Sequence, residues 1–222
     1  MKLDRDFFTR PTLKVAKDLL GKYIVRKINN KLLIGKIVET EAYIGPNDKA
    51  SHAYSKKDQP EKEKLKIIEK NWSRIEKFVE NKDLFIKRIL KLKKAKVTKR
   101  NLAEYLKGGH IYIYLVYGNY YQLNITTYKE GYPECVLIRS LEPIKNLKDP
   151  KGPGKLCYEL KLDNSFWGKD LVENKYIWLE NGEKIQGSDI IKTTRIGIDY
   201  AGEDAKLLWR FYIKNNKWVS RK

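Results

Sequence analysis

The chain has 222 residues, long enough for one sizeable core, and no internal repeat; its 47 Lys and Arg against 28 Asp and Glu give a formal net charge of +19. Two cysteines without a CxxC or a Cys/His cluster argue against a disulfide scaffold and a structural zinc, and no apolar run approaches the roughly 20 residues that span a bilayer. The first residues also lack the apolar region of a signal peptide, so a soluble, intracellular monomer is expected, and a field of this sign makes nucleic acid the expected partner.

From Pro11 to Leu20 the apolar residues Leu13, Val15, Ala16, Leu19 and Leu20 follow helical spacing, and Gly21 stands where a helix stops. Tyr23–Val25 and Leu32–Thr40 are rich in aliphatic and β-branched residues on either side of Asn29-Asn30, and read as paired strands. The second delivers Glu39-Thr40-Glu41-Ala42-Tyr43. Gly45-Pro46-Asn47-Asp48 then breaks the chain ahead of Ser51-His52, a loop or short helix.

Between Lys56 and Arg100 the composition shifts to 17 Lys and Arg against 7 Asp and Glu, which marks a basic insertion at about residues 56–97. Leu65, Ile68, Trp72, Ile75 and Val79, and after Asn81–Asp83 the group Phe85, Ile86, Ile89 and Leu90, predict two amphipathic helices. Two readings stand open for them: an apolar stripe packed on the body beneath a solvated face, or a basic arm adding phosphate contacts.

The run Tyr112–Tyr121 is a tyrosine-rich strand pair turned at Gly118-Asn119, which puts Tyr117 at an exposed tip, placed to wedge into a stack of bases. Tyr112 and Tyr114 fall on one strand face, and Ile111, Ile113 and Leu115 on the other. Cys135–Leu141 reads as a buried strand that carries one arginine, Arg139. Gly152-Pro153-Gly154-Lys155 introduces a helix over Leu156–Leu162, and Ile177–Leu179, Thr194–Ile198 and Leu208–Ile213 read as further strands.

Glu39 and Glu41 share a strand face. Two solvated charges are the commoner reading of such a pair, and an acid/base device is the other. Arg139 favours the second, because a guanidinium within an aliphatic strand needs a carboxylate; Glu41 is the candidate, kept ionised and able to orient and deprotonate a water. A structural ion pair is the alternative. Tyr43 follows on the same strand parity, Asn124 is polar on the return strand, and Tyr43, Tyr114 and His52 can wall a slot about one base wide. His110 has no second feature and reads as structural.

Arg5–Phe8, Ile37–His52 (I-V-E-T-E-A-Y-I-G-P-N-D-K-A-S-H), Gly108–Asn124, Glu134–Pro143, Gly152–Cys157 and Arg195–Glu203 together resemble, in order, the alkyladenine or 3-methyladenine DNA glycosylases of the methylpurine type. The resemblance implies a monofunctional glycosylase of base excision repair. Such an enzyme flips an alkylated or deaminated purine out of double-stranded DNA and hydrolyses its N-glycosidic bond, with neither metal nor organic cofactor, leaving an abasic site. Carried over by position, Glu41 is the general base and Arg139 helps hold the water. Tyr43, His52 and Tyr114 enclose the base, Asn124 is a sieve against the amino group of guanine, Tyr117 fills the gap in the duplex, and Arg100, Tyr120 and Lys155 fall at positions associated with DNA. The implied fold is a single α+β domain, a curved and mainly antiparallel sheet with flanking helices plus the helical insertion.

The sequence departs from that pattern in the length of the 56–97 stretch and at Glu104, where the family tends to be apolar near the minor groove. No residue stands out as the acid that a neutral lesion base requires. Two rivals follow from the same residues: a non-catalytic nucleic-acid-binding module that uses the tyrosine hairpin, and a bifunctional lyase acting through a lysine Schiff base, for which no lysine is well placed.

Overall fold

The computed structural model describes residues 1–221. Two short helices, α1 (Arg5–Phe8) and α2 (Thr12–Asp18), lead into a hairpin of β1 (Tyr23–Ile28) and the long β2 (Lys31–Ile44). Three helices follow, α3 (Glu61–Lys70), α4 (Trp72–Ile75) and α5 (Lys82–Lys91). Next come β3 (Ile111–Val116), β4 (Tyr120–Thr126), β5 (Glu134–Lys145) and α6 (Pro153–Glu159), and the chain closes with β6 (Ile177–Glu180), β7 (Ile190–Thr193) and β8 (Arg210–Ile213). No described helix is long and apolar enough to cross a membrane.

The strands form one antiparallel sheet in the order β3-β4-β5-β2-β1-β6, with β8 also pairing β2 and carrying β7. Strand β2 makes this possible by its length. Its first half pairs β1, while its second half, from Glu39 to Glu41, pairs β8. Register shifts against β5 on either side of Glu39 mark bulges, which bend a strand and increase its twist, so the sheet curls into a half-barrel there.

Alternation along the strands separates two faces. Ile111, Ile113, Ala42, Val136 and Ile138 join α2 and α6 in one apolar core, where Thr40 Oγ1 donates to Ala16 O at 2.8 Å. Tyr112 and Cys135 point the opposite way, into a second cluster with Ile68, Ile75, Phe85 and Ile89 of α3–α5. Each of these large apolar side chains contributes about 1.5–3 kcal/mol on full burial, so the basic helices are anchored to the body by their apolar stripe. The α+β class expected from the sequence is the architecture observed.

Four local expectations shift. The helix expected from Leu65 to Val79 breaks at Asn71, whose Nδ2 donates back to Ile67 O at 2.8 Å, so the segment forms α3, α4 and one 3-10 turn, Glu76–Phe78. The helix after Gly152 starts at Pro153, not Leu156, since proline fits a first helical turn that needs no N–H. Residues 194–198 are not a strand; β7 ends at Thr193 and the chain turns back toward β2. The hairpin turn sits one residue early, on Tyr117 (φ 52°) and Gly118 (φ 72°), with Asn119 N–H donating to Val116 O at 3.2 Å.

Candidate active site

One row of residues crosses four strands in register: Tyr112, Asn124, Leu137 and Glu41 stand directly opposite one another on β3, β4, β5 and β2. Opposed residues share a sheet face, so the curl of the sheet aims Tyr112, Asn124 and Leu137 into a cavity of about 500 Å³, with Glu41 next in the row. Tyr114 and Gln122, one pair further along the hairpin, extend the wall toward the tip.

The aromatic wall is held by its own contacts. His52 lies with its ring centroid 4.7 Å from that of Tyr114, and its Nδ1 is 2.7 Å from Tyr112 Oη. Burial, then the positive charges of Arg100 and Lys96, push the His52 pKa down to about 4, so the ring is neutral at physiological pH. Tyr114 Oη donates to Gln122 Oε1 at 2.9 Å, and the Arg100 guanidinium covers the Tyr114 ring at 4.8 Å while donating to Leu115 O. Asn124, buried, turns its Nδ2 to Gln122 O at 3.4 Å.

Glu39 and Glu41 are both closed to solvent, which overturns the reading of two solvated charges. One guanidinium serves both: Arg139 Nε lies 3.1 Å from Glu39 Oε1 and Arg139 Nη1 lies 3.1 Å from Glu41 Oε1. Burial alone pulls the Arg139 pKa down, but the charges of Glu41 and Glu39 outweigh it and the net direction is upward. The two carboxylates then diverge. Glu39 is saturated by Arg210 at 2.9 Å and by the Ser220 N–H at 2.7 Å, which makes it an internal tie between β2, β8 and the C-terminal segment. Glu41 instead accepts from Tyr43 Oη at 2.8 Å and from the Ile196 N–H at 2.9 Å. Tyr43, Arg139 and Ile196 all line the cavity, so Glu41 sits directly behind its floor, covered by the groups that hold it.

The loop that brings Ile196 here is fixed by a second buried ion pair. Arg195 engages Asp48 through its two terminal guanidinium nitrogens, Nη1 and Nη2, donates to Ala42 O at 2.9 Å, and lies 4.8 Å from the Tyr43 ring. Reading the sequence for periodicity assigns this loop to a strand and misses its role; the only signal was the resemblance of the Arg195–Glu203 segment.

Tyr117 is 92% exposed at the hairpin tip, on the rim of the cavity beside Arg100. Tyr120 and Lys155 stand apart from the cavity wall. The Tyr120 ring lies so close to Gly154 that a Cβ there would come within 2.8 Å of it, so the glycine is required by the packing of the hairpin on α6. Lys155 pairs with Asp149 at 2.6 Å on the surface. Glu104, the other departure from the family pattern, is 1% exposed and forms part of the cavity wall, carried inward by the 3-10 turn Leu102–Tyr105.

A family model described as methylpurine-DNA glycosylase (MPG) matches residues 6–67 and 91–217. The chain belongs to the methylpurine-DNA glycosylase family. It is thereby an enzyme of the DNA glycosylase type, a hydrolase of N-glycosyl bonds, with DNA as the substrate that membership implies. Full-length relatives carry the printed name "Putative 3-methyladenine DNA glycosylase". The protein of Carboxydothermus hydrogenoformans is 40% identical over the whole of both chains. That of Natranaerobius thermophilus is 37% identical over 99% of each, and that of Methanocella arvoryzae is 37% identical over 99% of this chain and 96% of the relative.

Proposed function

We propose that this methylpurine-DNA glycosylase excises alkylated and deaminated purines, 3-methyladenine among them, from duplex DNA by a monofunctional hydrolysis. The observation that carries the reading is a buried carboxylate, Glu41, clamped at the back of a ring-walled cavity by Arg139, Tyr43 and the Ile196 N–H. The cavity volume lies in the range typical of small-molecule sites and accepts a purine between the rings of Tyr43, His52 and Tyr114. Flipping a nucleotide costs a few kcal/mol, and aromatic stacking at about 1–3 kcal/mol per contact offsets it. Tyr117 enters the gap left behind, and Arg100 at the rim holds backbone phosphate.

In the reaction, a water at the cavity floor hydrogen-bonds Arg139 and displaces the Tyr43 hydroxyl from Glu41. Glu41 takes its proton as the oxygen attacks C1′ and the C1′–N9 electron pair leaves with the base. The carboxylate also stabilises the positive charge that grows on the sugar. General-base action supplies about 10²–10⁴ of the rate, and fixed positioning and electrostatics supply the remainder. Asn124, in the wall beside the base, is the sieve against the guanine amino group. Residues 56–97 are an insertion whose apolar stripe is structural; the family model's gap over residues 68–90 and the burial of Ile75, Phe85 and Ile89 support this.

The decisive experiment uses a duplex carrying one 3-methyladenine or its stable analogue. Glu41→Gln should abolish base release while lesion binding persists. If the unmodified protein binds the duplex but releases no base, the site is a binding module and the proposal fails.

A further inference from the structure

A purine alkylated at a ring nitrogen is cationic and departs readily, whereas a neutral purine leaves slowly unless a ring nitrogen gains a proton as the C1′–N9 bond breaks. The cavity wall contains a group suited to that task. Glu104 Oε1 accepts the Cys135 Sγ–H at 3.4 Å, but Glu104 Oε2 is buried with no hydrogen-bond partner, alone in this among the described side chains that line the cavity. A buried polar group left without a protein partner costs about 1–3 kcal/mol, so a polar group entering the cavity gains by meeting this oxygen.

The surroundings decide whether it donates or accepts. Burial is the largest influence and pushes the Glu104 pKa up to about 8. Facing it are Cys135 from β5, Tyr112 and Tyr114 from β3, Tyr105 from its own turn, Arg100 and Asp48. The thiol and the three phenols are themselves pushed upward and stay neutral, Arg100 favours the ionised carboxylate and Asp48 opposes it. Burial prevails, and the side chain is mainly a neutral carboxylic acid at pH 7.

We propose that Glu104 is the general acid for neutral purines, donating its Oε2 proton to a ring nitrogen of the flipped base. As the C1′–N9 bond breaks, its electron pair passes to the base, the ring nitrogen takes the Glu104 proton, and water adds to C1′ while giving its proton to Glu41. The products are the neutral purine and the sugar hydroxyl; Glu104 is left ionised and Glu41 protonated, and exchange with solvent resets both. A base that is already cationic gains nothing from this donor. The inference rests on the base-excision reading above and extends it to uncharged lesions.

The test is single-turnover excision from duplexes bearing one hypoxanthine or one 3-methyladenine, by the wild type, Glu104→Gln and Glu104→Met, between pH 6 and 9.5. Hypoxanthine release by the wild type should fall about tenfold per pH unit above about pH 8, and both variants should lose about 10²-fold or more of it together with that pH limb. Release of 3-methyladenine should fall at least tenfold less than release of hypoxanthine in both variants, and without the pH limb above 8. Equal losses on both bases, undiminished hypoxanthine release by the variants, or a wild type that frees 3-methyladenine but never hypoxanthine would each overturn the assignment. A wild type that frees neither base sinks the excision reading itself. Glu104→Met guards against misfolding, because it places an apolar side chain of similar size in a buried wall, and its thermal midpoint should not fall below that of the wild type.

Discussion

Arg139 Nη1 lies 3.1 Å from Glu41 Oε1, and neither side chain has more than a tenth of its surface exposed. Removing one partner of a buried ion pair strands the other's charge, which costs about 3–5 kcal/mol. Arg139→Met is therefore expected to destabilise the protein by about that amount in urea denaturation. Adding Glu41→Gln should recover part of the loss, because the stranded charge is gone. Strict additivity of the two changes would mean that the pair is not coupled.

Tyr117 is solvent-exposed and its backbone is left-handed, at φ 52°, a conformation glycine adopts without strain. Tyr117→Gly should leave thermal stability unchanged or slightly raised, while weakening binding to a lesion duplex by about 1–3 kcal/mol, roughly 5- to 150-fold in Kd. Undiminished lesion affinity in a gel-shift titration would remove the wedge role.

The neutral state of His52 makes a prediction about acid stability. Above pH 6.5 the ring is neutral in both the folded and unfolded chain and contributes no pH dependence. Between pH 6.5 and about 4 the unfolded chain binds a proton that the fold refuses, so stability is lost as pH falls, by at most about 1.4 kcal/mol per unit. His52→Gln should flatten this part of the stability profile, measured by denaturant midpoints across the range. An unchanged slope would show that His52 already takes up its proton in the fold.

Arg100 lies on the cavity rim, whereas Lys66 projects from α3, whose opposite side is packed on the body through Ile68. If only the rim meets phosphate, Arg100→Gln should reduce the salt slope of duplex binding by about 1 and Lys66→Gln should leave it unchanged. Point changes are preferred to deletion of α3–α5, which would expose Tyr105 and Tyr112 of the second core. A shallower slope for Lys66→Gln would revive the basic-arm reading.

Period-two alternation made the hairpin legible. Ile111 and Ile113 against Tyr112 and Tyr114 follow from strand geometry alone, and helical spacing of Ile68, Phe85 and Ile89 marked a face that had to be buried. Glu39 and Glu41 were not separable in this way. They share a face and a guanidinium, and only the arrival of Arg210 and the Ser220 N–H at one, and of Ile196 at the other, divides an internal tie from a carboxylate at the cavity floor.

By itself the chain determined its charge, its alternating strand faces, its apolar helical stripes and the residue types available for chemistry, because these depend on neighbours a few positions away. The tertiary structure alone decided that Glu104 enters the cavity wall with an oxygen left bare, that Arg195 and Asp48 pin a loop against β2, and that Glu41 is covered by Tyr43, Arg139 and Ile196. Burial and charge pairing are sums that include groups more than 140 residues apart in sequence, such as Asp48 with Arg195 and Glu41 with Ile196, which the curl of the sheet brings together and no local pattern encodes.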